Sequence, residues 1–456
     1  MQERYDLSDK QINSELLGSV LATPLRWWGL IALTGLLLGG GIAAAAWMVT
    51  HGLGVTGLGR PIFWGFMIVN FVFWVGISHA GVMISAILRL SSAEWRRPVT
   101  RAAEVLTVFA LATAAIFPLI HMGRPWRFYW IFPVDFWRGI WPNVRSPLVW
   151  DPSAIFTYLT GSSLFVFVAL IPDLAVIRDR SAGVRRAIYG FLAMGFRGTP
   201  RQWKLQTIAG ILLSALILPV FVSVHSIVSW DFGMALGVPN WHTSVLAPYF
   251  VIGAVHSGVS AVVTLMAILR KVFKWENYIT PDHFDALGRL LVVVATAWLY
   301  FFILEFLFGL YSREQVEVVV REYQLGLWPN NILFGTFILT AYIIPVPLWL
   351  FRRVRRSITL MFWTSILVNV GMWMERFIII IPALEAKQGF SFMYQIFTPS
   401  LVEVLLVLGS FGLVGTGLLI FAKFFPLIPL FDIKEGQVLK AEIQVGKVKV
   451  PAVIHE

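Results

Sequence analysis

The sequence predicts an all-α polytopic membrane protein with about ten transmembrane helices, arranged as two four-helix bundles plus two peripheral helices. Three observations predict it. Hydrophobic residues make up 58% of the 456 residues and charged residues only 13%, against about 25% charged in a soluble domain. Ten near-continuous apolar runs reach the ~20 residues that a helix needs to cross a hydrocarbon core. A short glycine–histidine motif recurs at identical spacing in two of those runs.

The first run, Leu25–Val49, follows Met1–Pro24, where Glu3, Asp6, Asp9 and Glu15 replace the short basic stretch of a cleaved signal peptide. Its Gly35–Gly41 stretch reads as a helix-packing surface. Ile62–Leu90 carries His79, and Ala102–Met122 carries Glu104 and His121. The loop Gly123–Pro152 is rich in Trp and Phe, including Trp126, Trp130, Trp137, Trp141 and Trp150. It is open to two readings: an interfacial aromatic belt, or a cap over a hydrophobic ligand entrance or subunit dock. Ser153–Ile177 and Leu205–Trp230 follow, the latter carrying His225 and ending beside Asp231; Ser244–Leu269 opens beside His242 and carries His256. Leu290–Tyr311 contains Glu305, Asn331–Phe351 carries no charge, Ile358–Ile381 contains Glu375 and Arg376, and Pro399–Ala422 contains Glu403. The tail Phe431–Val453 alternates Val and Ile in part and reads as a hairpin or a partner-binding segment.

An even number of crossings puts both termini on one side. That side holds 26 Lys and Arg and the other 8, so the positive-inside rule makes it cytoplasmic. The net charge of +11 is therefore topological and gives no nucleic-acid footprint. The chain has no cysteine, so any iron–sulfur cluster, disulfide or C-x-x-C-H haem belongs to a partner.

Gly76-Ile-Ser-His79-Ala-Gly81-Val82 and Gly253-Ala-Val-His256-Ser-Gly258-Val259 share their spacing and run in the same direction. This predicts a same-sense repeat: one bundle over residues 62–230 and a second over 244–382. Residues 25–61 and 399–425 lie at the periphery, with cytoplasmic segments at 1–24 and 426–456.

Ionisable groups within membrane spans are costly, so each is a functional candidate. At the non-cytoplasmic ends stand His121, Asp151, Asp231 and His242, with His225 about 9 Å further in at 1.5 Å per residue. Imidazole and carboxylate at a greasy interface suit quinol oxidation, where each hydroxyl must lose a proton to a nearby acceptor. Taken singly, His121 could instead cap its helix, Asp151 could be a helix N-cap, and Asp231 a loop residue. Deeper lie His79, Glu104, His256, Glu305, Glu375, Arg376 and Glu403, as stations of a proton route or as interhelical packing pairs. Glu375 and Arg376 sit about 100° apart on a helix, which predicts different partners for each. His79 and His256 at similar depth would also suit a bis-His haem, but eight histidines in all argue against a cytochrome b arrangement.

The stretches Asn70-Phe-Val-Phe-Trp-Val-Gly-Ile-Ser-His79-Ala-Gly, Phe117-Pro-Leu-Ile-His121-Met-Gly-Arg-Pro-Trp126, Arg145-Ser-Pro-Leu-Val-Trp-Asp151 and Ile171-Pro-Asp173 resemble the NrfD/polysulfide-reductase family. More narrowly, they resemble the quinol-oxidising ActC-type subunits of bacterial alternative complex III. The resemblance implies an inner-membrane subunit with two four-helix bundles that binds menaquinol or a related quinone near the periplasmic face and holds no haem or metal. It implies electron transfer to a periplasmic iron–sulfur subunit and a multihaem cytochrome c, with a second NrfD-like subunit, small membrane subunits and lipids alongside. It carries catalytic roles onto His121, Asp151 and Asp231, with His225, Arg124 and Trp126 as further quinone-binding candidates. His79, Glu104, His256, Glu305, Glu375 and Arg376 become candidates for a proton route. A related subunit of that complex shares the fold without an accepted quinone site; the His121 and Asp151 motifs favour the quinone-binding one. Two alternatives remain within the sequence: the anchor of a polysulfide- or tetrathionate-type molybdoenzyme reductase, and a secondary transporter, whose ten helices, repeat and buried carboxylates it would share.

Overall fold

The computed structural model describes residues 7–21, 23–131, 147–235, 237–238, 240–387, 391–438, 442–445 and 448–451. Ten of its helices are long and apolar enough to cross a membrane: α1 (Leu25–His51), α2 (Phe66–Leu90), α3 (Arg97–His121), α4 (Pro147–Asp179), α5 (Pro200–Ala235), α6 (Leu246–Phe273), α7 (Pro281–Ser312), α8 (Asn330–Leu350), α9 (Ile358–Glu385) and α10 (Leu401–Phe424). The protein is thus a multi-pass, helical membrane protein. Its described strands form a small antiparallel hairpin, Glu442–Val445 with Val448–Pro451, within the tail whose alternation suggested one.

Several helices outrun the apolar segments that announced them. α3, α5 and α7 begin at Arg97, Pro200 and Pro281, five to nine residues before their expected starts, because polar first turns project beyond the hydrocarbon. The Gly123–Pro152 loop is shorter than expected: a 3₁₀ turn spans Pro125–Ile131 and α4 starts at Pro147. The rest of that loop, with Trp137 and Trp141, falls outside the described residues.

Among the shorter helices, three cover the ends of the spans on the side of Asp9–Leu21. Asp9–Leu21 buries Ile12, Leu16, Leu17 and Val20, a narrow stripe of helical spacing. Tyr278 donates to Glu15 and Lys423 to the Ser19 carbonyl, fastening it to the face that holds both termini. Leu430–Val438 docks on the same face, where Arg97 meets Glu435 at 2.5 Å and Glu94 at 2.5 Å. Gly183–Leu192 exposes Val184, Ile188 and Phe191 on one side beside Arg185 and Arg186, the pattern of a helix lying in a membrane interface.

The two copies of the repeat pack against each other. α2 crosses α6 where small residues remove the obstacle: a Cβ on Gly258 would lie 2.9 Å from the Ala80 nitrogen, and one on Gly76 would lie 3.3 Å from Ser257 Oγ. α1 pairs with α10 in the same way, a Cβ on Gly41 falling 2.6 Å from the Gly409 Cα. Just past the crossing, α2 widens into a π turn over Val82–Ile87. Thr107 causes it: the Gly81 amide donates to Thr107 Oγ1, which donates on to the Ser78 carbonyl at 2.6 Å, so a side chain has entered the helix ladder.

Candidate functional site

Asp151 and Asp231 are eighty residues apart in sequence, yet the packing of α4 on α5 brings their carboxyl groups side by side. α4 and α5 run antiparallel and in contact, which brings the second turn of one beside the last turns of the other. Asp151 Oδ1 and both oxygens of Asp231 are buried without a hydrogen-bond partner. Asp151 therefore is no N-cap, since α4 begins four residues earlier, and Asp231 is helical rather than a loop residue. His121 is the last residue of α3, and its Nδ1 is likewise buried and unpartnered. The C-cap is Met122, so the capping alternative for His121 falls away. Among the described residues no hydrogen bond joins His121 to either aspartate. Arg124 and exposed Trp126 follow in the adjoining turn.

His225 belongs elsewhere. Two turns deeper in α5, its ring lies 4.7 Å from that of His79 and 5.8 Å from Phe250, with neither nitrogen hydrogen-bonded. His79 has both ring nitrogens on carbonyl oxygens, Nδ1 at 2.8 Å from Val75 and Nε2 at 3.0 Å from Phe221. Carbonyls only accept, so a neutral ring satisfies one of these contacts and an imidazolium both.

The remaining buried groups fall into two places. Toward the termini, Glu104 accepts from Ser85 and lies 3.9 Å from Arg101, which pairs with Asp173 at 3.0 Å. Toward the opposite face, Trp298 donates to Glu375 at 2.7 Å and its ring lies 5.8 Å from His256. Arg376 sits over the Phe250 ring at 4.9 Å. Glu375 and Arg376 also pair with each other, Oε2 to Nη1 at 3.3 Å, contrary to the expectation from their angular offset. Both side chains are long enough to lean together, and among the described residues Arg376 has no other acidic partner within 4 Å. Further out, Glu305 accepts from Thr243 and lies 3.7 Å from Arg321. A cavity lined by Asn240, Tyr249, Glu305, Arg321, Gln324 and Glu375 joins the two carboxylates. Glu403 is set apart as a structural residue, forming a capping box with Ser400 and accepting from the Gly57 amide.

Arg321, Gln324 and Glu317 were not singled out from sequence. They lie on a helix, Gln315–Leu325, whose polar face points inward while Val316 and Leu325 are exposed. The spacing 317, 321, 324 was the available signal. Burial pulls the Arg321 guanidinium below its usual value, with Glu305 and Glu317 opposing.

The polysulphide reductase, NrfD family model matches residues 54–386, about three quarters of the chain. The chain belongs to the NrfD family. It is 27% identical over 267 residues to a putative dimethyl sulfoxide reductase membrane subunit of Halobacterium salinarum, a match spanning 58% of this chain and just over half, 56%, of that one. It is 23% identical to a selenate reductase subunit of Mesobacillus selenatarsenatis over 84% of this chain and 90% of that one. It is 20% identical to an Hdr-like menaquinol oxidoreductase integral membrane subunit of Archaeoglobus fulgidus over 86% and 91%. An NrfD-family chain thus supplies the buried acid pair, the histidine pair and the Glu375–Arg376 cluster described above.

Proposed function

We propose that this NrfD protein is the membrane subunit of a quinol-linked oxidoreductase complex in a bacterial inner membrane, with both termini cytoplasmic. It oxidises a menaquinol-type quinol near the periplasmic face, in the manner of ActC-type subunits of alternative complex III. Residues 62–230 and 244–382 act as its two bundles. The observation that carries this reading lies at the ends of three spans: Asp151 Oδ1, both Asp231 oxygens and His121 Nδ1 are buried with no hydrogen-bond partner among the described residues. Buried polar atoms are rarely left so, and a quinol brings two hydroxyls able to donate to them.

Oxidation of the quinol releases two protons and two electrons. His121, Asp151 and Asp231 accept the protons, while Arg124 and Trp126 flank the entrance and His225 stands deeper in the same helix as Asp231. The electrons leave to an iron–sulfur or multihaem partner, because a chain without cysteine cannot hold a cluster through thiolates. Protons are moved through His79, Glu104, His256, Glu305, Glu375 and Arg376, for which the cavity between Glu305 and Glu375 is the support.

The test is quinol turnover by the purified, assembled complex. His121→Ala and Asp151→Asn each lower turnover by roughly 100-fold, the low end of general-base contributions, with the subunits still associated. Wild-type turnover in both variants overturns the site. The reductase-anchor reading is favoured by two of the relatives, named for dimethyl sulfoxide and selenate reductases. Copurifying a molybdenum-containing catalytic subunit in place of a cytochrome decides for it.

A further inference from the structure

His242 was grouped in sequence with the outer acids, but the structure places it with two other residues. His242 Nε2 lies 3.4 Å from Glu317 Oε1 and 3.7 Å from Glu314 Oε2, and one ligand atom from each of the three falls within 4.8 Å of the others. The imidazole comes from the segment before α6 and the carboxylates from the N-cap and first turn of the helix Gln315–Leu325 after α7, so two separate elements converge. At ligand bonds of about 2.0–2.2 Å, two ligands of a tetrahedral zinc ion stand about 3.4 Å apart; the two distances from His242 Nε2 are already near that spacing.

Two further features fit a ligating role. Glu317 is buried, 2% exposed, and its other oxygen accepts from Ser312 at 2.8 Å, the kind of outer-shell bond that fixes a ligating carboxylate. His242 and Glu314 are half-exposed, which leaves an entry path and room for a water in a fourth position. We infer that His242, Glu314 and Glu317 bind a Zn²⁺-type divalent cation, because one imidazole with two carboxylates suits a borderline metal better than magnesium or calcium.

The site borders the outer cavity. Thr243, the next residue after His242, donates to Glu305, and Arg321, one turn on from Glu317, lines the same cavity. A cation there adds positive charge at the mouth and pins Thr243. Its consequence, slowed turnover, rests on the reading of Glu305 as a proton station; the binding itself does not.

The experiment uses the intact complex in mild detergent, washed with chelator and dialysed against graded Zn²⁺, with bound metal measured per chain. The expected result is one additional Zn²⁺ per chain, abolished by His242→Ala and by Glu314→Gln, and weakened about tenfold or more by Ser312→Ala. Co²⁺ in place of Zn²⁺ gives intense visible d–d bands that His242→Ala removes. Zn²⁺ affinity unchanged in both ligand variants overturns the site and leaves His242 as an ion-pair partner of the two glutamates. In parallel, quinol turnover falls as Zn²⁺ occupancy rises. Occupancy without any change in turnover leaves the metal site standing and removes Glu305 from the proton route.

Discussion

At the scale of single residues, the buried ions divide into those that are paired and those that are left wanting. Arg101 and Asp173 are the clearest pair: 3.0 Å apart, both buried, with Arg101 also donating to the Ala169 carbonyl at 2.8 Å. Removing one partner of such a pair strands a charge in a low-dielectric interior, whereas removing both does not. Asp173→Ala is expected to destabilise the protein by about 3–5 kcal/mol, read as a large fall in Tm in detergent. Arg101→Leu combined with Asp173→Leu recovers only part of it, because Glu104, 3.9 Å from Arg101, loses its cation. The acid pair at the other face is expected to answer oppositely. Asp231→Asn relieves two facing carboxyls, so it costs little Tm while quinol turnover falls; a variant that melts early and turns over normally makes Asp231 a packing residue. The positions of these groups were legible in the sequence because ionisable residues stand out in apolar runs. Their partners were not. That Asp151 meets Asp231, that His225 meets His79 rather than Asp231, and that Glu375 leans onto Arg376 all depend on helix rotation and rotamer, which no local pattern encodes.

At the scale of elements, the apolar runs were legible to within a few residues where hydrocarbon demands them and illegible where it does not. Ten spans follow from length and hydropathy alone, but the polar first turns of α3, α5 and α7 carry no such signal. The helix Asp9–Leu21 was missed because its apolar stripe is one narrow face within a polar segment, and the π turn of α2 because it is imposed by Thr107 from another helix. Glycines were legible as a class, and the structure sorts them. Gly409 faces the α1 backbone, with a Cβ there 2.5 Å from the Gly41 Cα, whereas a Cβ on Gly39 meets nothing within 4 Å. Gly409→Val is expected to cost about 1–3 kcal/mol through overpacking, with Gly39→Val close to neutral. Thermal melts of the two variants in the same detergent check it; equal Tm values rule out the α1–α10 contact as a tight one.

At the scale of the whole molecule, the two copies of the glycine–histidine motif meet at one helix crossing and differ in their chemistry. His79 and His256 occupy equivalent places on helices that cross, yet one is held by two carbonyls and the other by none. The turn at the start of α4 and the end of α5 carry the unsatisfied Asp151–Asp231 pair. The corresponding start of α8 and end of α9 carry Asn330 and Glu385, joined at 2.6 Å, with Glu385 also accepting from the Phe397 amide at 2.7 Å. At the second end Glu385 accepts two hydrogen bonds while Asn330 Oδ1 stays unpartnered, whereas at the first Asp151 Oδ1 and both Asp231 oxygens have no hydrogen-bond partner, which is why we propose the quinol site there. That proposal needs the acid pair to face the periplasm, the side expected if the face richer in Lys and Arg, 26 against 8, is cytoplasmic. The absence of cysteine makes a direct test clean, since every thiol labelled on this chain is an introduced one. Arg313 and Arg353 are exposed at opposite faces. In intact cells, Arg313→Cys is expected to react with a membrane-impermeant maleimide, and Arg353→Cys only after permeabilisation. The reverse pattern would place His121, Asp151 and Asp231 on the cytoplasmic side, and the protons of quinol oxidation would then be released inward.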